Sequence, residues 1–236
     1  MMSRSRVLVV EDDRTLAEVL RYNLDREGYE VIIAGDGEEA LELARAQRPD
    51  LVILDIMLPK LDGLQVCRIL RNETNVPIMM LTAKTEEVEK ILGLEIGADD
   101  YITKPFSMRE LLARAKSMLR RVEAVRREAT PSALQPGSIV SAGELEIDLA
   151  RHQATLRGTA LNLTPREFAL LAFLTSNVGR AFTRDQLLDL VWGHEYVGDT
   201  RTVDVHVRWL RQKLEADPAQ PRHILTVRGV GYKFEA

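Results

Sequence analysis

Carboxylates, one hydroxyl and one ammonium recur at the ends of short apolar runs. Val7-Leu8-Val9-Val10 leads into Glu11-Asp12-Asp13, and Leu51-Val52-Ile53-Leu54 leads into Asp55. Ile78-Met79-Met80-Leu81 delivers Thr82, and Tyr101-Ile102-Thr103 delivers Lys104-Pro105. Glu11, Asp12 and Asp55 brought together would repel one another and raise at least one pKa unless a cation were present. Magnesium (Mg2+) suits such a set, because it takes oxygen ligands, keeps several waters and is held by one or two carboxylates plus phosphate oxygens. The backbone carbonyl of Met57, just beyond Asp55, is a further candidate ligand. Asp55 then has the character of a carboxylate nucleophile toward a phosphoryl donor, forming an acyl phosphate. Lys104 and the metal would neutralise the equatorial oxygens in flight, and Thr82 would donate a hydrogen bond to the attached group. A single acid at a strand end is most often a helix cap, and Asp13 fits that role. The recurrence at successive strand ends is what points to chemistry.

The elements that must position these groups are legible in the same runs. Four consecutive apolar residues with acids beyond read as a strand buried on both faces, its tip opening into a cleft. Helical stretches separate the strands. Leu16, Val19, Leu20 and Leu24 fall at helical spacing after Asp13 or Arg14, with Gly28 placed to stop the helix. Further helices are expected after Gly37, Gly63, Lys84 and Met108, with a strand over Glu30 to Ala34. Five alternating strand–helix units give an α/β domain with a parallel sheet, and right-handed crossovers bring every C-terminal tip to one edge. Ligands of open sheets bind at that edge, at the switch point in strand order.

At 236 residues the chain is long enough for two ordinary domains. Residues 1–121 carry 18 Lys and Arg against 22 Asp and Glu, whereas residues 139–236 carry 12 of each. The net charge of −4 therefore lies in the first part. No apolar stretch approaches the roughly 20 residues needed to span a bilayer, and Met1-Met2-Ser3-Arg4-Ser5-Arg6 leads straight into a strand without an apolar signal segment. The single Cys67 allows no internal disulfide and reads as core filling beside Val66 and Leu70. A cytoplasmic protein without membrane association is the expectation. Residues 122–138, with two Pro and one Gly and little apolar periodicity, read as a linker that would span roughly 20 to 25 Å if flexible.

The second half has a different texture. Leu145-Glu146-Ile147-Asp148-Leu149 alternates as a half-buried strand does, and Ala154 to Arg157 is a candidate partner. Thr164-Pro165-Arg166-Glu167 is a capping box with proline at the first helical position. Thr183-Arg184-Asp185-Gln186 is a second such start, ending near Trp192-Gly193. A third helix is expected from about Thr200 to Leu214, with Val203, Val207, Leu210 and Leu214 as its core stripe. Ile224 to Phe234 reads as a hairpin turning at Gly229-Val230-Gly231. Three helices and a terminal hairpin suggest an α+β winged helix-turn-helix. Between Thr200 and Lys233 stand seven Lys and Arg against three Asp and Glu, a basic end of the kind that meets DNA. Arg201, Arg208 and Arg211 lie off the core stripe, His206 is in reach of a phosphate or else structural, and Arg228 sits at the hairpin tip.

Residues 6–121 resemble the receiver domain of two-component response regulators. The resemblance rests on the pocket residues, Leu58-Pro59 and Asp62-Gly63 after the acid, and the run from Gly97 to Phe106. It implies a flavodoxin-like fold with sheet order 2-1-3-4-5 and phosphorylation of Asp55 by a sensor histidine kinase. It also implies Mg2+ on Glu11, Asp12, Asp55 and the Met57 carbonyl, with Lys104 and Thr82 on the phosphate and a cis Lys104-Pro105 bond. Phosphorylation would draw Thr82 inward and let the Tyr101 ring fill the space, a two-state element biased by charge.

The affected face would carry Lys90, Glu95, Asp99, Asp100, Glu110, Arg114, Lys116, Arg120 and Arg121, a mixture of signs that suits an isologous contact. Members of the subfamily resembled form homodimers there on phosphorylation.

Residues 139–236 resemble the effector domain of the OmpR/PhoB type, most specifically in Arg201 to Val207 and Thr226 to Tyr232. By that resemblance Arg201, His206, Arg208, Arg211, Thr226 and Arg228 are DNA contacts on direct-repeat promoter sites, and RNA polymerase is a further partner. Trp209 falls where some relatives carry a basic residue, which leaves stacking on sugar, contact with a thymine methyl, or packing as its roles.

The chain is thus expected to be a phosphorylation-controlled transcription factor and not an enzyme. A phosphatase using Asp55 as nucleophile would want a second acid two residues on, and position 57 is Met. A DNA-binding architectural protein would have no use for the assembled pocket. A nucleotide enzyme would want a Gly-rich loop after the first strand, and the sequence there is Glu11-Asp12-Asp13-Arg14.

Overall fold

The computed structural model describes residues 4–83, 97–128, 139–193 and 200–236. The chain divides into two compact units, Met1–Val122 and Glu123–Ala236.

In the first unit, β1 (Arg6–Val10), α1 (Arg14–Arg26), β2 (Glu30–Ala34), α2 (Gly37–Gln47), β3 (Leu51–Asp55), α3 (Gly63–Glu73), β4 (Ile78–Ala83), β5 (Asp100–Lys104) and α4 (Met108–Glu128) follow in order. The strands form one parallel sheet in the order β2-β1-β3-β4-β5, as the receiver resemblance implies. Val7 to Val10 and Leu51 to Leu54 are fully buried, so the two continuous apolar runs are indeed covered on both faces. Each large aliphatic side chain buried in this way contributes about 1.5 to 3 kcal/mol relative to leaving it in water. The helix expected after Lys84 lies outside the described residues.

Helix starts are set by aspartates. The Asp13, Asp36 and Asp62 carboxylates accept from backbone N–H groups of the first turns of α1, α2 and α3. One residue of the anticipated α1 stripe is misplaced. Val19 is 44% exposed, and Ala17, Leu20 and Leu24 are the buried positions. α4 continues through Glu128, because Val122-Glu-Ala-Val-Arg-Arg-Glu is built from good helix formers for the most part. The first part of the segment read as a linker is therefore helical.

In the second unit, β6 (Ile139–Ala142), β7 (Leu145–Asp148), β8 (Gln153–Leu156) and β9 (Thr159–Ala160) make an antiparallel sheet in chain order. The β7 alternation ends at Asp148, and Leu149 lies exposed beyond it. α5 (Pro165–Thr175) begins with the expected capping box, in which Thr164 and Glu167 serve each other's backbone N–H. β10 (Phe182–Thr183) precedes α6 (Arg184–Leu187), which opens with the second capping box and passes into a π-helical turn, Leu188–Trp192. α7 (Arg201–Leu214) buries Val203, Val207, Leu210 and Leu214. The hairpin β11 (Ile224–Val227) and β12 (Gly231–Phe234) pairs through β12 with β10. Three helices, a leading antiparallel sheet and a terminal hairpin make this a winged helix-turn-helix domain.

Candidate functional site

The parallel sheet brings the groups at its strand ends to one edge. Glu11 follows β1, Asp55 closes β3, Thr82 lies in β4, and Lys104 closes β5. Glu11 and Asp55 are buried and Asp12 is exposed, yet each offers an oxygen within 4.8 Å of the others. Lys104 Nζ donates to Glu11 Oε2 at 2.7 Å and to Asp55 Oδ2 at 3.0 Å. Burial pushes the Glu11 carboxyl above its ordinary range, the Lys104 hydrogen bond opposes that, and the Asp55 charge reinforces it. For Lys104, burial works against the charge, but hydrogen bonds to Glu11 and Asp55 reverse it and hold the ammonium's pKa above its usual value. One cation thus leaves the Glu11 carboxyl raised, while gaining from both Glu11 and Asp55. An oxygen-only donor set with residual negative charge is a set that a divalent cation fits.

The backbone beneath Asp55 is pinned by Gly63. A Cβ at that position would stand 2.0 Å from the Asp55 carbonyl oxygen, so only glycine lets α3 start this close to the strand tip. Gly63 N donates to the Ile56 carbonyl at 2.9 Å. The Met57 side chain points into solvent. Thr82 is fully buried, and Tyr101 is largely buried in β5 opposite Met80. The Lys104-Pro105 bond is cis.

Part of the anticipated charged face is instead interior. Asp99, Asp100 and Arg114 are buried. Asp99 pairs with Arg71 and accepts from Ile78 N at 2.9 Å, while Arg71 also bonds the Gly97 and Val76 carbonyls. Arg114 donates to Asp100 at 2.8 Å, to the Tyr101 carbonyl at 3.3 Å and to Glu110 at 2.7 Å. These pairs lock β5 to α3 and α4, so Asp99, Asp100 and Arg114 stand inside the unit and not on the charged pairing face anticipated for them. Lys116 is exposed and Glu110 half-buried. Lys90, Glu95 and the side chains of Arg120 and Arg121 lie outside the described residues.

In the second unit the basic groups sort by what they touch. Arg201, Arg208, Thr226 and Arg228 are exposed on α7 and the wing. Arg211 is turned inward along α7, donating to the Ile224 carbonyl at 2.9 and 2.7 Å and to Thr226 Oγ1 at 2.8 Å, so it braces the hairpin. His206 is buried, its Nδ1 2.8 Å from the Thr202 carbonyl and its ring edge-on to Trp192 at 5.1 Å. The structural reading of His206 holds, and the phosphate contact is set aside. Trp209 is partly buried.

Sequence reasoning passed over a cluster between α6, α7 and the wing. Asp204 Oδ1 accepts from Arg184 Nε at 2.6 Å and from Tyr232 OH at 2.7 Å. The one signal was Asp204 itself, the sole acid within Arg201–Leu214.

A parallel sheet with an acid cluster at its edge, joined to a winged helix-turn-helix, defines a two-domain DNA-binding response regulator. Residues 7–116 match the response regulator receiver domain, and residues 158–234 match the family described as transcriptional regulatory protein, C terminal. The chain is 50% identical over 236 residues to the alkaline phosphatase synthesis transcriptional regulatory protein PhoP of Bacillus subtilis, covering 98% of this chain and 96% of that one. It is 50% identical over 230 residues to the DNA-binding response regulator MtrA of Mycobacterium tuberculosis H37Rv, with 98% and 96% covered. Among solved structures, a cysteine-to-serine mutant of RitR aligns with a TM-score of 0.74 at 31% identity over 98% of this chain and 99% of that one. The Thermotoga maritima OmpR/PhoB homologue DrrB aligns at 0.51 and 32% identity, covering 99% and 100%. The chain belongs to the OmpR/PhoB family of response regulators. No helix among the described residues is long and apolar enough to cross a membrane.

Proposed function

We propose that this protein is a cytoplasmic, phosphorylation-controlled transcription factor whose acceptor is Asp55, with residues 1–121 as receiver and 139–236 as effector. The observation that carries the reading is Lys104 Nζ at 3.0 Å from Asp55 Oδ2, an ammonium held beside the acid that ends the buried strand β3. A sensor histidine kinase supplies the phosphoryl group. The donor's P–N bond breaks as an Asp55 Oδ–P bond forms, and Lys104 balances charge on the phosphoryl oxygens. Glu11, Asp12, Asp55 and the Met57 carbonyl hold Mg2+, which when bound supplies positive charge to the transferring group.

Thr82 binds the attached group, and Tyr101 follows it in the buried space beside β4. Two copies then pair through the charged face expected to carry Lys90, Glu95, Glu110, Lys116 and Arg121. Rearrangement of the Asp99, Asp100 and Arg114 pairs accompanies that step. Arg201, Arg208, Thr226 and Arg228 contact direct-repeat promoter DNA, with Arg211 bracing the wing, and RNA polymerase is recruited to the bound dimer.

Intact-mass measurement after acetyl phosphate and Mg2+ treatment tests the first step. One added phosphate is expected on the unsubstituted protein and none on Asp55→Asn. Beryllofluoride with Mg2+ is expected to shift the sedimentation profile toward dimer. An unmodified mass in the unsubstituted protein would overturn the reading, and a profile that beryllofluoride leaves unchanged would overturn its dimerisation step.

A further inference from the structure

Within the second unit, three elements meet at Asp204. It lies in the first turn of α7, and its side chain is 39% exposed. Its Oδ1 takes Arg184 Nε at 2.6 Å and Tyr232 OH at 2.7 Å, and Arg184 Nη2 reaches Tyr232 OH at 3.4 Å. The Tyr232 ring lies under two guanidinium groups, with Arg184 Cζ 5.0 Å and Arg211 Cζ 5.7 Å from its centroid. Arg184 opens α6, the helix that in a helix-turn-helix crosses the phosphate backbone. Left to itself, a guanidinium there would bind any phosphate, whatever the sequence.

We propose that Asp204 is a specificity-determining residue that keeps Arg184 on the protein and away from DNA phosphates, so that non-specific duplex is bound less well than the basic surface would otherwise allow. The carboxylate acts twice. It holds the Arg184 fork through a charge-assisted hydrogen bond in a shape closed by Tyr232, and it places a negative charge on the recognition helix, where a phosphate set in the wrong register is repelled. A first-turn acid also suits the helix dipole. A dipole role alone would change stability and leave salt dependence untouched, so the two roles separate in one measurement. The inference rests on the reading of α7 and the wing as the DNA face.

The experiment uses the full chain with two duplexes, one selected by the unsubstituted protein from a randomised pool and one scrambled at equal length. Binding is followed against salt. Asp204→Asn keeps an oxygen acceptor for Tyr232 and Arg184 but removes the charge. It is expected to bind the scrambled duplex about tenfold more tightly at low salt. Its slope of log K against log salt should steepen by about 0.9, the value for one added phosphate contact, and the ratio of selected to scrambled affinity should fall. An unchanged scrambled affinity and slope would overturn the proposal.

Should Asp204→Asn fail to fold, Arg184→Gln decides. If Arg184 is already held back, its removal leaves the slope for scrambled DNA as it was. A slope shallower by about 0.9 would show Arg184 on a phosphate in the unsubstituted protein and sink the idea. If the unsubstituted protein enriches no duplex from the randomised pool, the DNA-face reading itself has failed, which is a different result.

Discussion

Lys104 Nζ reaches past β4 to lie 3.0 Å from Asp55 Oδ2, so an ammonium from the edge strand β5 serves an acid at the tip of the interior strand β3. The same nitrogen holds Glu11 at 2.7 Å. Lys104→Ala removes the cation that faces the incoming phosphoryl oxygens while leaving the Asp55 nucleophile in place. Phosphate uptake from acetyl phosphate, followed by intact mass with time, is expected to slow by about 10- to 100-fold. That is at or below the usual loss for one preorganised donor, because the site is partly open. A rate equal to that of the unsubstituted protein would remove Lys104 from the chemistry.

The acids differ in what else they do, and this separates metal binding from capping. Asp12 is exposed beside two buried acids, whereas Asp13 accepts from Thr15 N at 2.8 Å and Leu16 N at 3.3 Å as the cap of α1. Asp12→Asn is expected to weaken Mg2+ binding, read by calorimetry, by about tenfold with little change in the thermal midpoint, since one of at most two or three carboxylate ligands is lost. Asp13→Ala should do the reverse, with Mg2+ affinity retained and stability lowered by about 1 kcal/mol. Equal Mg2+ affinities in the two variants would contradict this division of roles.

Gly63 tests how tightly the strand tip is held. A methyl there would sit 2.0 Å from the Asp55 carbonyl oxygen and 2.9 Å from Ile56 Cα, both backbone atoms that cannot rotate aside. Gly63→Ala is expected to cost about 1 to 3 kcal/mol in denaturant melts through overpacking and to reduce phosphate uptake by displacing Asp55. Unaltered stability and uptake would mean that α3 shifts freely.

Gly63 also shows where the sequence was silent. The acid pocket was legible because short apolar runs that end in acids and alternate with helical stretches read as covered strands, and a parallel sheet must then gather their ends. That Asp62-Gly63 starts a helix was equally visible, but the close approach to Asp55 is a three-dimensional fact with no local signature. Asp99, Asp100 and Arg114 were misread for the same reason. Charge in a sequence looks like surface, and only the packing of β5 against α3 and α4 shows that Arg71 and Arg114 bury their acids. In the second unit the two capping boxes and the α7 stripe could be read from spacing. β6, β9 and β10 are four, two and two residues long and owe their strand form to pairing, which periodicity cannot register. His206 was an even choice between phosphate and core until Thr202 and Trp192 were seen to enclose it.

Cys67 gives a prediction with a sign in pH. The thiol is fully buried on α3, and burial pushes its pKa from 9.0 up to about 11, with Arg71 opposing and Asp99 adding slightly. Below pH 9 the thiol is protonated whether the chain is folded or not, so its contribution to stability is constant. Between about pH 9 and 11 the unfolded chain releases the proton and the folded one does not. Folding stability is therefore lost as pH rises through that window, by up to about 3 kcal/mol, and no further above it. Cys67→Ala lacks the titrating group, so its denaturation midpoint should decline less steeply than that of the unsubstituted protein over this range. At pH 8 a thiol reagent such as dithionitrobenzoate should react with the native protein no faster than the chain opens, and at once in denaturant. Rapid stoichiometric labelling of the native protein, or parallel pH profiles for the two proteins, would show the thiol to be accessible.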